Sequence, residues 1–137
     1  MKKIDSVSAM IAESSFLKKE GFTIALVPTM GFFHDGHLSL MKKAKKIADK
    51  VIVSLFVNPI QFGANEDLGS YPMDLERDCK LAEKTGVDYL FFPTIEEMYP
   101  KTFYTNVAVE KLSEGLCGES RPTHFQGVTT VVTKLFN

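Results

Sequence analysis

Between Thr23 and Val57 the chain passes from a short apolar run to a helical segment and then to a second apolar run, and that order constrains the fold more than any other feature. The first run, Thr23 to Val27, has the length and branched, aliphatic content of a buried strand. Leu38, Leu40, Met41, Ala44, Ile47 and Ala48 then recur at helical spacing. Lys42, Lys43, Lys45 and Lys46 fill much of the opposite face, and the helix is predicted to run to about Lys50. Val51 to Val57 is an apolar run broken only by Ser54, as in a strand buried on both faces of a parallel sheet. Strand, helix, strand within about 35 residues is a right-handed crossover unit.

The rest of the chain extends this alternation. Asp5 or Ser6 caps a predicted first helix with an apolar stripe of Val7, Met10, Ile11 and Leu17, ended by Gly21. A polar, glycine-bearing loop runs from Asn58 to Tyr71, and such a loop after a sheet strand is more often functional than idle. Pro72 introduces a helix carrying Leu75, Cys79, Leu81 and Ala82, stopped by Gly86. Tyr89 to Phe92 is the next strand, ended by Pro93. Thr94 to Met98 is one helical turn, Asn106 to Val109 a brief extended segment, and Glu110 to Leu116 a short helix halted by Gly118. Pro122 to Phe136 forms a closing helix despite its β-branched residues. The expected fold is α/β, a Rossmann-like open parallel sheet with helices on both faces. At 137 residues the chain, 1–137, has the size of a single domain able to bury a core.

Charge and composition narrow the classes of function. Sixteen basic against 17 acidic residues leave a net charge of −1, so there is no broad electrostatic attraction to nucleic acid or to an anionic membrane surface. No apolar run approaches the ~20 residues needed to span a bilayer. The first residues, Met1 to Asp5, lack the apolar core of a signal peptide, and the expectation is a cytoplasmic protein. Cys79 and Cys117 form no paired-thiol motif, which argues against a disulfide framework or a zinc site.

The chemistry concentrates in Pro28 to His37, a turn between strand and helix. A helix start presents unpaired amides and the positive end of its dipole, and so attracts phosphate or carboxylate. Gly31 and Gly36 let the backbone bend or approach a ligand. If the helix has already begun, the spacing of His34 and His37 places both rings on one face, where they can donate hydrogen bonds to a phosphoryl group gaining negative charge. Helix capping is the simpler use of the same rings. In open parallel sheets ligands bind beyond the carboxyl ends of the strands, so this turn and the Asn58 to Phe62 loop are expected to face one cleft.

The motifs Met30-Gly31, His34-Asp35-Gly36-His37, Val57-Asn58-Pro59-Ile60-Gln61-Phe62, Tyr71-Pro72, Arg121-Pro122-Thr123-His124-Phe125, Gly127-Val128 and Lys134-Leu135-Phe136-Asn137 together resemble the amino-terminal domain of the pantoate-beta-alanine ligase (pantothenate synthetase) family. The His-x-Gly-His tetrapeptide alone is shared across a superfamily of nucleotide-transferring enzymes; the ordered set is specific. The resemblance implies an ATP-dependent ligase. Pantoate attacks the α-phosphorus of ATP to give pantoyl adenylate and pyrophosphate, and beta-alanine then displaces AMP to form pantothenate. It implies Mg2+ with the ATP, a homodimer, and no nucleic-acid or membrane partner. Carried onto this chain, His34 and His37 are catalytic. Met30, Gly31, His34, Gly36 and His37 bind ATP, and Asn58, Gln61, Arg121 and His124 bind substrate, Gln61 through the hydroxyls of pantoate; no residue is assigned as a metal ligand. The plainer uses are a turn for Asn58, a solvated side chain for Gln61, a surface pair with Glu119 for Arg121 and a helix cap for His124.

Phe33, Met73 and Gln126 depart from common family choices without removing a motif residue. In the family a Phe-Gly-x-Lys-Asp-x-Gln segment, a Ser-Ser-Arg-Asn-like loop and a second domain follow the position of Asn137. The sequence therefore reads as a truncated nucleotide- and pantoate-binding domain, expected to have little ligase activity by itself. A cytidylyltransferase or phosphopantetheine adenylyltransferase, or a non-catalytic nucleotide- or pantoate-binding module, are the alternatives.

Overall fold

Four strands, β1 (Lys2–Ile4), β2 (Ile24–Thr29), β3 (Lys50–Leu55) and β4 (Tyr89–Phe91), pair in parallel in the order β1-β4-β3-β2. The computed structural model describes residues 1–63, 66 and 68–137. Ala64, Asn65 and Asp67, which fall within the predicted Asn58 to Tyr71 loop, lie outside the described residues. The chain divides into two compact units, Met1–Val57 with Pro72–Met98, and Asn58–Tyr71 with Tyr99–Asn137.

The first unit holds the sheet with α1 (Val7–Lys19), α2 (Asp35–Ile47), α3 (Leu75–Thr85) and α4 (Ile95–Met98). Val27, Val51, Val53 and Leu90 from the strands pack with Phe33, with Met41 and Ala44 of α2, and with Cys79 and Ala82 of α3. Because strand side chains alternate, Ile52 and Ser54 project from the opposite face of β3, and they too are buried. The run, apolar but for Ser54, thus has the two-sided burial its composition demands. Pro28 lies in β2 at the sheet edge, where its missing N–H costs no central ladder bond.

Local chemistry sets the helix ends. The Ser6 hydroxyl accepts from Ala9 N at 3.3 Å to cap α1, and Asp74 accepts from Arg77 N at 2.9 Å to cap α3, which therefore starts beyond Pro72. On the predicted stripe of α1 only Leu17 is buried, and Ile11 is 53% exposed. α2 ends at Ile47 rather than near Lys50, because Ala48 is extended and Lys50 already pairs as the first residue of β3. The sequence pattern missed β1, a three-residue edge strand with two lysines and no apolar run, defined by its partner β4 through Lys2↔Tyr89 and Ile4↔Phe91.

The second unit holds 3-10 turns at Pro59–Gln61 and Leu68–Ser70, α5 (Cys117–Ser120) and α6 (His124–Phe136). The helix expected over Glu110 to Leu116 is instead a series of turns, because Lys111 (φ 63°) and Leu116 (φ 54°) adopt a backbone incompatible with a right-handed helix. The short helix begins at Cys117 and includes Gly118. Asn106 to Val109 joins no strand. Side chains of α6 hold it: Val107 N donates to Thr130 Oγ1 (2.9 Å), and Thr129 Oγ1 donates to Val107 O (2.6 Å). These bonds use two of the β-branched residues that looked costly in a helix. Among the described residues no helix is long and apolar enough to cross a membrane.

Candidate functional site

The backbone after β2 is fixed atom by atom before it reaches the histidines. The buried Thr29 hydroxyl donates to Ser54 O (2.7 Å) and accepts from Gly31 N (3.3 Å). Gly31 has φ +89°, open to glycine at little cost, and Phe32 follows at φ +52°, unusual for a side chain of that size. The Phe33 ring is fully buried in the sheet–helix core. With one aromatic anchored and its neighbour strained, His34 is delivered to the start of α2.

His34 is the N-cap of α2 and His37 lies in its first turn. His34 Nδ1 accepts from Gly36 N at 3.1 Å, and His37 Nδ1 accepts from His34 N at 3.3 Å. The ring centroids are 4.1 Å apart. Capping and ligand binding are therefore compatible rather than rival uses. Both Nδ1 atoms accept, so the neutral rings carry their protons on Nε2, and each Nε2–H remains as an outward donor. The His37 backbone N–H closes the capping box on the His34 side chain, which leaves the Asp35 N–H as the first-turn amide outside the cap. A Cβ on Gly36 would lie 2.8 Å from His34 Cε1, so a side chain there would displace the imidazole. Burial, then the charge of neighbouring His34, holds the His37 pKa below the ordinary histidine value, against an opposing pull from Asp78. Met30, half-buried, precedes this turn.

In the second unit the motif residues form one polar cluster. Asn58 Nδ2 donates to Gln61 Oε1 (3.0 Å) and to Gly127 O (3.1 Å), and Asn58 Oδ1 accepts from the Tyr99 hydroxyl (2.8 Å). Asn58 and Gln61 are both buried. Arg121 Nη2 and His124 Nδ1 lie 3.4 and 3.0 Å from Gln61 O. The Arg121 guanidinium is held by Glu66, with Nε–Oε1 at 2.6 Å, rather than by Glu119. The Gly63 N–H, and after it Arg121, keep the Glu66 carboxyl below its usual range and hence charged. Arg121 and His124 thus converge on the backbone of Gln61, while Asn58 orients its side chain. Burial pushes the Tyr99 phenol up to about 12, so it stays a donor across the physiological range. Tyr99→Phe leaves Asn58 Oδ1 short of its partner and is expected to cost about 1–2 kcal/mol in urea unfolding.

Of the nine residues named in the sequence, mostly through the family resemblance, Met30, Gly31, His34, Gly36 and His37 lie around the start of α2, and Asn58, Gln61, Arg121 and His124 lie in the second unit's cluster; their supports were missed, Asp78 and Arg77 in the first unit, Tyr99 and Glu66 in the second. A signal existed for Asp78, because it falls on the same face of α3 as Leu75, Cys79 and Ala82, where an acid needs a buried partner. Tyr99 and Glu66 carried none, since their partners are distant in sequence.

The family model described as pantoate-beta-alanine ligase matches residues 1–137. The chain belongs to the pantoate-beta-alanine ligase family. It is similar to the pantothenate synthetases of Heliobacterium modesticaldum, 59% identical over all of this chain and 49% of that protein, and Geobacter sulfurreducens, 58% identical over all of this chain and 48% of that protein. Among solved structures it is similar to the pantothenate synthetase of Thermus thermophilus, with TM-score 0.91, 47% identity, and 99% of this chain and 48% of that one covered. It is also similar to the pantoate-beta-alanine ligase of Francisella tularensis complexed with beta-gamma ATP and beta-alanine, with TM-score 0.91, 40% identity, and 98% of this chain and 52% of that one covered. The chain spans about half the length of the curated relatives it matches. The parallel α/β fold expected from the sequence is thus the fold of its family.

Proposed function

We propose that this chain supplies the nucleotide- and pantoate-handling part of an ATP-dependent ligase that joins pantoate to beta-alanine. The observation that carries the reading is the pair of imidazoles locked as Nε2–H donors over the amide-bearing start of α2, in a chain of this family. In the first half-reaction a pantoate carboxylate oxygen bonds to the α-phosphorus of ATP as the bond to the β-phosphate bridging oxygen breaks, releasing pyrophosphate. His34, His37 and the Asp35 N–H donate to phosphate oxygens as they gain charge, with Met30, Gly31 and Gly36 lining the nucleotide. Gln61 hydrogen-bonds the pantoate hydroxyls, since a carboxamide offers both donor and acceptor. Asn58, Arg121 and His124 hold Gln61 for that contact. In the second half-reaction the beta-alanine amine bonds to the acyl carbon, the bond to the AMP oxygen breaks, and the amine loses a proton.

Among the described residues no group of three or more His, Cys, Asp or Glu side chains could hold a metal. Mg2+ in this reading arrives on the triphosphate, and no protein ligand is assigned to it. A homodimer and a cytoplasmic location belong to the same proposal.

Pantoate labelled with 18O in its carboxylate tests the pathway. The native protein with ATP and beta-alanine is expected to yield AMP carrying one labelled oxygen per pantothenate formed. Label-free AMP, or pyrophosphate release independent of pantoate, overturns it.

A further inference from the structure

We propose that Asp78 and Arg77 of α3 are positioning residues for this reaction, locking the Gly31–Phe33 backbone so that His34 and His37 reach the start of α2; the proposal rests on the ligase reading. The Asp78 carboxylate, 1% exposed, accepts from Phe32 N at 2.6 Å and from Phe33 N at 2.8 Å. Arg77 Nη1 lies 3.5 Å from Asp78 Oδ1, Nη2 donates to Phe33 O at 2.9 Å, and the guanidinium sits 5.3 Å from the Phe32 ring centroid. Both backbone polar groups of Phe33 and the N–H of strained Phe32 are therefore held by two adjacent residues of one helix. A Cβ on Gly31 would come within 3.2 Å of Asp78 Oδ2, so glycine there also admits the carboxylate.

Two successive amides after a positive-φ glycine form an anion-binding concavity. Here the protein's own carboxylate fills it. An incoming phosphate is excluded from Phe32 and Phe33 and directed to the next donors along the turn, the Asp35 N–H and the imidazole Nε2–H groups. Asp78 thus fixes both the placement of the rings and the choice of amides.

Asp78→Asn in the native protein is the test. It keeps the side-chain shape but turns an N–H toward one of the two amides. Pantoate-dependent pyrophosphate release is expected to fall about 10²-fold in kcat, as a displacement of about 1 Å can cause, with KM for pantoate unchanged. The ring 15N spectra of His34 and His37 are expected to change from one Nε2–H tautomer to a mixture. A purely structural carboxylate would lower the unfolding temperature without moving the tautomers or separating kcat from KM. If near-ultraviolet circular dichroism shows Asp78→Asn unfolded, Arg77→Met, at a residue open to solvent, decides, with the same pattern and a loss of about 10-fold expected. Wild-type kcat and wild-type tautomers in a folded variant overturn the proposal. If the unmodified protein, assayed in its full natural length, releases no pyrophosphate, the ligase reading fails, and the histidine spectra alone judge the clamp.

Discussion

Replacing His37 with alanine is expected to lower kcat for pantothenate formation by about 10²–10³-fold, the loss typical of one removed donor to a developing oxyanion. Two contributions disappear together. The Nε2–H that the proposed reaction directs at the phosphate is gone, and His34 N loses its 3.3 Å acceptor, so the remaining imidazole loses part of its support. The helix start itself survives, because Gly36 N still donates to His34 Nδ1 at 3.1 Å. Steady-state kinetics with ATP, pantoate and beta-alanine check this; a loss below threefold would remove His37 from the phosphate site.

The same ring sets a pH dependence. Burial, and then the charge of His34, lower the folded His37 pKa below its ordinary 6.5. The unfolded chain therefore binds more protons in the window between the lowered value and 6.5, and folding stability rises with pH across that window and levels above it. Protonation at Nδ1 also destroys the acceptor for His34 N and places a cation at the positive end of α2. In His37→Ala this part of the stability–pH curve is expected to flatten, as measured by urea unfolding of the ligand-free protein.

Local periodicity carried the sheet and its main helices because hydrophobic spacing is a local quantity. The Val51 to Val57 run, the helix before it and the Leu75–Cys79–Ala82 stripe each announced an element. What escaped depended on partners far away in the chain. β1 is a strand only through β4, and the Lys111 and Leu116 backbones are set by the turns they make rather than by the apolar residues around them. At the site, spacing named the two histidines, and the family resemblance named Asn58 and Gln61. Neither could say that Arg121 pairs with Glu66, or that Tyr99 reaches Asn58, because those contacts span 55 and 41 positions. Residue type predicted which groups have chemistry, and tertiary contact decided what each one does.

Gly127→Ala tests the second cluster, and here two effects compete. Alanine favours an α6 helical position over glycine by up to about 1 kcal/mol. Its Cβ, however, would lie 2.5 Å from Ile60 O, 2.5 Å from Gln61 Cα and 2.6 Å from Gln61 N, all backbone atoms that cannot rotate away. Overpacking of this kind typically costs about 1–3 kcal/mol and more where the neighbour is rigid, so the clash is expected to win. The net change should be a destabilisation of about 2 kcal/mol or more. Gly127 O is also an acceptor for Asn58 Nδ2, so separating α6 from the Pro59–Gln61 turn disturbs the bond network that orients Gln61. Pantoate affinity by calorimetry should fall about 10–100-fold, since a shift near 1 Å in a positioning group has effects of that size. Gly115→Ala is the control, because nothing lies within 4 Å of its Cβ position. Equal stability and equal pantoate affinity in Gly127→Ala and Gly115→Ala would mean that α6 yields freely and that its approach to Gln61 does not hold the Gln61 carboxamide in place.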